Sequence, residues 1–306
     1  MHVNNLLLLS LLQLTLDMLS SVAANQVRHA DLTQPQPPCG KICSYEWDAK
    51  EEGKYYPLLY KIISCPNTLL RMAHSPYAVV LPPPRSPPPD LLTKFTIDGQ
   101  CPVVYVHNMY IDESPTGNRS TRMHYTAKNF RKYLERDRRT NINTYKDNNV
   151  LKPALRKYAH MIRDKHVAVI GTLFPWAEAM LLNLGARLVT TVEYREVIID
   201  DERVQTTTPY RLAEQFINEQ SVVPFDTVFT YSSLEHSGLG RYGDPLSPFG
   251  DLEATAQIWC MVKKGGHFIL GVPVSEDREN CSIIWNAHRV YGSARLQHLT
   301  ANWCVG

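Results

Sequence analysis

The chain holds 306 residues, long enough for one full α/β domain and an appendage. Its 32 basic and 30 acidic residues leave a formal charge of +2, too even a balance for the electrostatic footprint of a nucleic-acid binder. The locally basic run 131–139 reads as a solvated helix face.

At the N-terminus, residues 6–16 form an apolar run, followed by small residues at Val22, Ala23 and Ala24. A membrane span needs about 20 apolar residues and Asp17 closes this run early, so residues 1–24 are expected to be a cleaved signal peptide. That places the protein in the secretory pathway or outside the cell, with no stable membrane span. Seven cysteines fit an oxidising compartment. Four of them, Cys39, Cys43, Cys65 and Cys101, could form two disulfides stapling a small N-terminal lobe, their connectivity open. Asn118-Arg-Ser and Asn280-Cys-Ser are glycosylation sequons in such a compartment.

Residues 25–80 make a Cys-containing N-terminal region, and the Pro-rich run 81–90 is expected to be an extended, stiff linker. A connecting segment, 91–125, contains the short strand pattern Pro102–Val106. From about Thr126 the pattern turns helical, and Leu151, Leu155, Tyr158 and Met161 mark a helix over 149–161. Strands are expected at 166–170, 187–192, 203–206, 225–231 and 267–272, with a turn at Lys264-Gly-Gly before the last, and helices at 175–184, 210–218 and 251–262. Pro175 opens the first of these helices and Gly185 closes it. Strands alternating with helices of this length demand parallel pairing, so residues 126–306 are expected to form a Rossmann-like, doubly wound, mostly parallel α/β sheet.

In such a sheet, ligands bind beyond the carboxyl ends of the strands. The first strand runs into Gly171, where a glycine lets a ligand approach the backbone; the two further glycines of a dinucleotide cradle are absent, with Leu173 and Pro175 in their places, so NAD is disfavoured. S-adenosylmethionine (SAM) carries no phosphate and suffers less from that loss. Glu193, at the end of the second strand, stands where ribose hydroxyls are usually accepted. The fourth strand enters a polar, glycine-rich loop, 232–245, whose Ser233 is a candidate contact to the cofactor. In it Glu235 and His236 could act as general base or bind a divalent cation, Arg241 could hold an anionic group, and Asp244 could orient His236 or join a metal site. A plainly structural alternative is a turn network capping the helix that starts near Asp251. A second polar cluster offers Asn286 as a substrate contact and His288 as an acid or base.

The stretches Pro175-Trp176, Thr191-Val-Glu-Tyr194, 233–245, Gly250-Asp-Leu-Glu253 and Asn286-Ala-His-Arg-Val-Tyr-Gly292 resemble the domain of unknown function 268 family of nematode proteins, over about residues 150–303. That family is similar in layout to class I SAM-dependent methyltransferases, whose glycine-rich loop is reduced here to Gly171. Ser233-Leu234-Glu235-His236 resembles the Glu-His position of the ubiquinone O-methyltransferases, which implies substrate or metal contact by Glu235 and His236. The chain departs from that layout at Trp303-Cys-Val-Gly306, where a class I methyltransferase would still need its last two strands, so either a shortened sheet or a truncated chain is expected. The leading expectation is a SAM-dependent methyltransferase acting on a small molecule or glycan; its rival is a secreted Rossmann-like binding module without catalysis. A metal-dependent hydrolase using Glu235, His236, Asp244 and His288 lacks a recognisable ligand spacing.

Overall fold

The computed structural model describes residues 5–10, 65–73, 82–112, 122–139, 148–218, 224–300 and 303–305. Most of the expected signal peptide, together with Cys39, Cys43 and the Asn118 sequon, lies outside them.

A seven-stranded sheet, parallel throughout, organises the chain. Its five central strands are β4 (His166–Ile170), β5 (Leu188–Val192), β7 (Val204–Thr207), β8 (Phe225–Tyr231) and β9 (Val262–Val272). Their spatial order is β9-β8-β4-β5-β7, so the direction of succession reverses between β4 and β8. Val167, Ala168 and Val169 of β4 are fully buried, the mark of a strand covered on both faces. The outer positions beyond β9 go to β1 (Asn5–Ser10) and β12 (Cys304–Val305), where the sheet had been expected to end short. Asn5–Ser10 belongs to the run read as a signal peptide, and here it pairs with His267–Val272.

Helices cover both faces. On one side α6 (Pro209–Asn218), α7 (Gly250–Met261) and the N-terminal α1 (Cys65–Ala73) share an apolar cluster containing Leu69, Met72, Leu212, Ile258, Met261 and Phe268. On the other, α3 (Ala127–Arg139), α4 (Asn148–Lys157) and α5 (Trp176–Asn183) pack through Phe130, Leu134, Leu155 and Leu181 onto Val169 and Phe229. The helix expected over 149–161 ends at Lys157 and continues as a 3-10 turn, Ala159–Met161. Strand β9 already begins at Val262, ahead of the expected turn. None of the described helices is long and apolar enough to cross a membrane.

Two smaller sheets complete the fold. Strands β3 (Arg122–Tyr125) and β6 (Glu196–Ile199) pair in parallel, and β10 (Ser282–Ile284) lies between β11 (His288–Val290) and β2 (Val103–Val104). The Pro-rich segment is extended, as its φ-locked residues require, yet it is no free spacer. Pro83 and Pro87 are buried, the Pro84 carbonyl accepts from Trp285 Nε1 at 2.8 Å, and the Pro83 carbonyl accepts from the Tyr110 hydroxyl. Pro89 then opens α2 (Pro89–Phe95).

The cysteine expectation needs correction. Cys65 is bonded to Cys260 in α7, and Cys101 to Cys281, with Cα atoms 5.3 and 4.7 Å apart. Instead of stapling a separate lobe, both bonds tie the N-terminal region to the main domain. Disulfides of this kind form in oxidising compartments.

Candidate functional site

Where the strand order reverses, the carboxyl ends of β4, β5 and β8 open on a cavity of about 560 Å3, within the range of small-molecule sites. Gly171, Glu193, Ser233, His236 and Asp244 line it; Glu235, Arg241, Asn286 and His288 do not. Aromatic rings of Phe174, Trp176, Tyr194, Tyr231 and Tyr242 contribute to the wall.

Gly171 sits at φ +77° with its amide on the Val192 carbonyl at 3.0 Å, and a Cβ there would come within 1.8 Å of Ser233 Oγ. Glycine is needed for both the turn and the approach. Gly171→Ala should therefore lower stability by about 1–3 kcal/mol, read as a shift in the urea midpoint; an unchanged midpoint would mean that the two loops are not this close.

Glu193 leaves β5 with its carboxylate buried, Oε1 accepting from the Tyr194 amide at 2.8 Å. Burial pushes its carboxyl up to about 7 against the hydrogen bonds from Tyr194 and Arg195. A second carboxylate, Glu178 in α5, went unnoticed in the sequence because it sits within an ordinary helical pattern. Fully buried, it accepts from the Thr172 and Thr191 hydroxyls at 2.5 and 2.7 Å and so ties the loop after β4 to the end of β5. Burial raises its carboxyl as well.

The polar loop after β8 splits into two kinds of residue. His236 ends a 3-10 turn, Leu234–His236, and its Nδ1 lies 2.5 Å from the Ala287 carbonyl. A carbonyl can only accept, so Nδ1 carries the hydrogen and Nε2 keeps its lone pair. Burial holds this imidazole down at about 4, which keeps it neutral at pH 7 and makes it a weaker base than a free histidine. Glu235 Oε1 lies 3.7 Å from that Nε2, and burial raises the Glu235 carboxyl to about 7. The ring of His288 stands edge-on to His236 at 6.1 Å.

The other loop residues hold the backbone. Asp244 accepts from the amides of Gly238, Gly240 and Tyr242 at 2.6, 3.2 and 3.2 Å, so it shapes the loop and does not orient His236. Arg241 donates to the carbonyls of Met109 and Asn286, and Asn286 accepts from the Ile111 amide at 2.8 Å. The two residues read as substrate contacts are thus committed to main-chain groups. Among the described residues, no three His, Cys, Asp or Glu side chains are grouped as a metal ion requires.

Beneath the loop lies a charged cluster that the sequence did not announce. Asp251, where the helix was expected to start, is fully buried and takes a bidentate pair from Arg295 at 2.8 and 2.6 Å and the Tyr291 hydroxyl at 2.9 Å. Arg289, also fully buried, stands 3.7 Å from Asp251 and donates to the carbonyls of Glu235, Ser237, Ser247 and Pro248. The loop that carries His236 is therefore clamped from below by guanidinium groups.

A parallel sheet sheathed by helices, with a cavity of small-molecule size at its reversal point, defines a mixed α/β protein. Residues 164–304, from just before β4 to β12, match the family described as Caenorhabditis protein of unknown function, DUF268. Among curated proteins no relative matches the chain.

Proposed function

We propose that the protein is a SAM-dependent methyltransferase of Rossmann-like, class I layout, acting on a hydroxyl of a small molecule or glycan in the secretory pathway. The observation that carries this reading is that Gly171, Glu193 and His236, from the ends of three different strands, line one cavity. The strand order of the five central strands and the two disulfides support the fold and compartment parts of the reading.

The residues fit SAM. Glu193 would accept the ribose hydroxyls, Gly171 and Ser233 would border the methionyl end, and the rings of Trp176, Tyr231 and Tyr242 suit a sulfonium cation. Bound SAM supplies an electrophilic methyl group. For its part the chain holds the acceptor in line and excludes water. His236 Nε2 would take the proton of the acceptor hydroxyl as that oxygen receives the methyl group.

Calorimetric titration of SAM tests the reading. Glu193→Ala should weaken binding at least tenfold, about 1.4 kcal/mol or more. Because an ionised carboxylate accepts hydroxyl hydrogens better than a protonated one, wild-type affinity should rise as pH climbs through about 7. Equal affinity in the variant refutes the assignment of Glu193. A second reading, a secreted binding module without catalysis, draws on the commitment of Arg241 and Asn286 to the backbone. SAM at 100 times its dissociation constant adds about 2.7 kcal/mol, a rise of roughly 4 °C in melting temperature for a chain of this length; a folded protein showing no rise supports this second reading.

A further inference from the structure

Helix α1 lies outside the family segment, yet it closes part of the cavity. Met72 is a lining residue and only 4% exposed. Facing it, α7 presents Ala254, Ile258 and Met261, at the helical spacing that puts them on one face and in the same cavity wall. Leu69, Met72 and Ala73 belong to one apolar cluster with Ile258 and Met261, and the Cys65–Cys260 bond fixes the start of α1 to the same helix. None of Met72, Ala254, Ile258 and Met261 offers a hydrogen bond to a polar ligand group beyond the weak acceptance of a thioether.

We propose that Met72 is a specificity-determining residue: the N-terminal helix α1 supplies the end wall of an apolar compartment that takes an uncharged, apolar group of the ligand. The compartment disfavours charged groups, since Gln257 is the one polar side chain that α7 adds to the wall and a single amide does not replace their hydration. Methionine suits the position because its flexible thioether moulds to a flat or irregular partner. Such a group has two sources, the purine base of SAM or a hydrocarbon portion of the acceptor. The inference concerns the same cavity as the methyltransferase reading but stands on the wall residues alone.

Two probes separate these cases: SAM, and the uncharged apolar fluorophore N-phenyl-1-naphthylamine. Each is titrated into the wild type, Met72→Leu and Met72→Trp, with circular dichroism and melting temperature as controls of folding. Met72→Leu should stay within about twofold of wild type, whereas Met72→Trp, which fills the compartment, should weaken the fluorophore tenfold or more, about 1.4 kcal/mol. Loss of SAM affinity in the same variant identifies the purine as occupant; retained SAM affinity identifies the acceptor. If the wild type binds the fluorophore but not SAM, and Met72→Trp abolishes it, the compartment stands while the methyltransferase reading falls. Equal fluorophore affinity in a folded Met72→Trp overturns the proposal. Should that variant not fold, the 13C-methyl resonance of Met72, identified by its absence in Met72→Leu, must move when fluorophore is added to the wild type; an unmoved resonance overturns it equally.

Discussion

Asp251→Asn should cost about 3–5 kcal/mol of stability although it changes almost no volume. The carboxylate is buried with two guanidinium groups and a phenol around it, all at most 1% exposed. Burial by itself would raise its carboxyl, but Arg289 and Arg295 outweigh that and hold it at about 2. Removing the charge leaves two buried cations facing each other, where each already lacks water. A depressed carboxyl contributes stability that is present above its unfolded value and lost as pH falls toward 2, so the wild type should weaken in that acid range and Asp251→Asn should not share that loss. Denaturant unfolding at neutral and acid pH checks both statements. A neutral-pH loss under about 1 kcal/mol would show the cluster to be tolerant of imbalance. Because Arg289 also clamps the carbonyls of Glu235 and Ser237, the same variant should loosen ligand binding at His236.

Removing a disulfide should be comparably severe. The bonds span 195 and 180 residues of sequence, for which chain-entropy arguments give about 5 kcal/mol apiece. They overlap along the chain, so the second closure constrains an ensemble already shortened by the first, and the two effects should sum to less than their separate values. Cys65→Ser with Cys260→Ser, and Cys101→Ser with Cys281→Ser, are each expected to lose about 2–5 kcal/mol in denaturant unfolding. Peptide mapping without reduction gives a direct check, and a Cys39–Cys65 or Cys43–Cys101 crosslink would contradict the pairing.

The central sheet was legible in the sequence because a parallel strand buried on both faces leaves an uninterrupted apolar signature. His166–Ile170 and Phe225–Tyr231 lie where their β-branched and aromatic runs predict. Glu196–Ile199 escaped notice, since its partner, Arg122–Tyr125, is far away in sequence and a four-residue strand carries little periodicity. Ser282–Ile284 and His288–Val290 pair with each other across a short turn, but three residues carry too little periodicity to be read as strands. In the site, Gly171, Glu193 and His236 could be located by position relative to strands, because the carboxyl-end rule depends only on topology. Arg241, Asn286 and Asp244 share the residue types of ligand contacts, but buried main-chain amides and carbonyls need partners first, and only the folded loop shows which polar side chains they take. Met72 was invisible for another reason: nothing in a short apolar helix says which distant cavity it will wall.

The bond between Cys65 and Cys260 also sets a timetable. A ribosome adds about 5–20 residues per second, so the 195 residues between the two cysteines take roughly 10–40 s to make. Throughout that interval Cys65 is a nascent-chain thiol whose proper mate does not yet exist, while Cys39 and Cys43 have already emerged nearby. Any pairing of Cys65 with an earlier cysteine would have to be undone after synthesis has passed α7, so the yield of native protein should rise when a thiol–disulfide exchange catalyst is present during refolding.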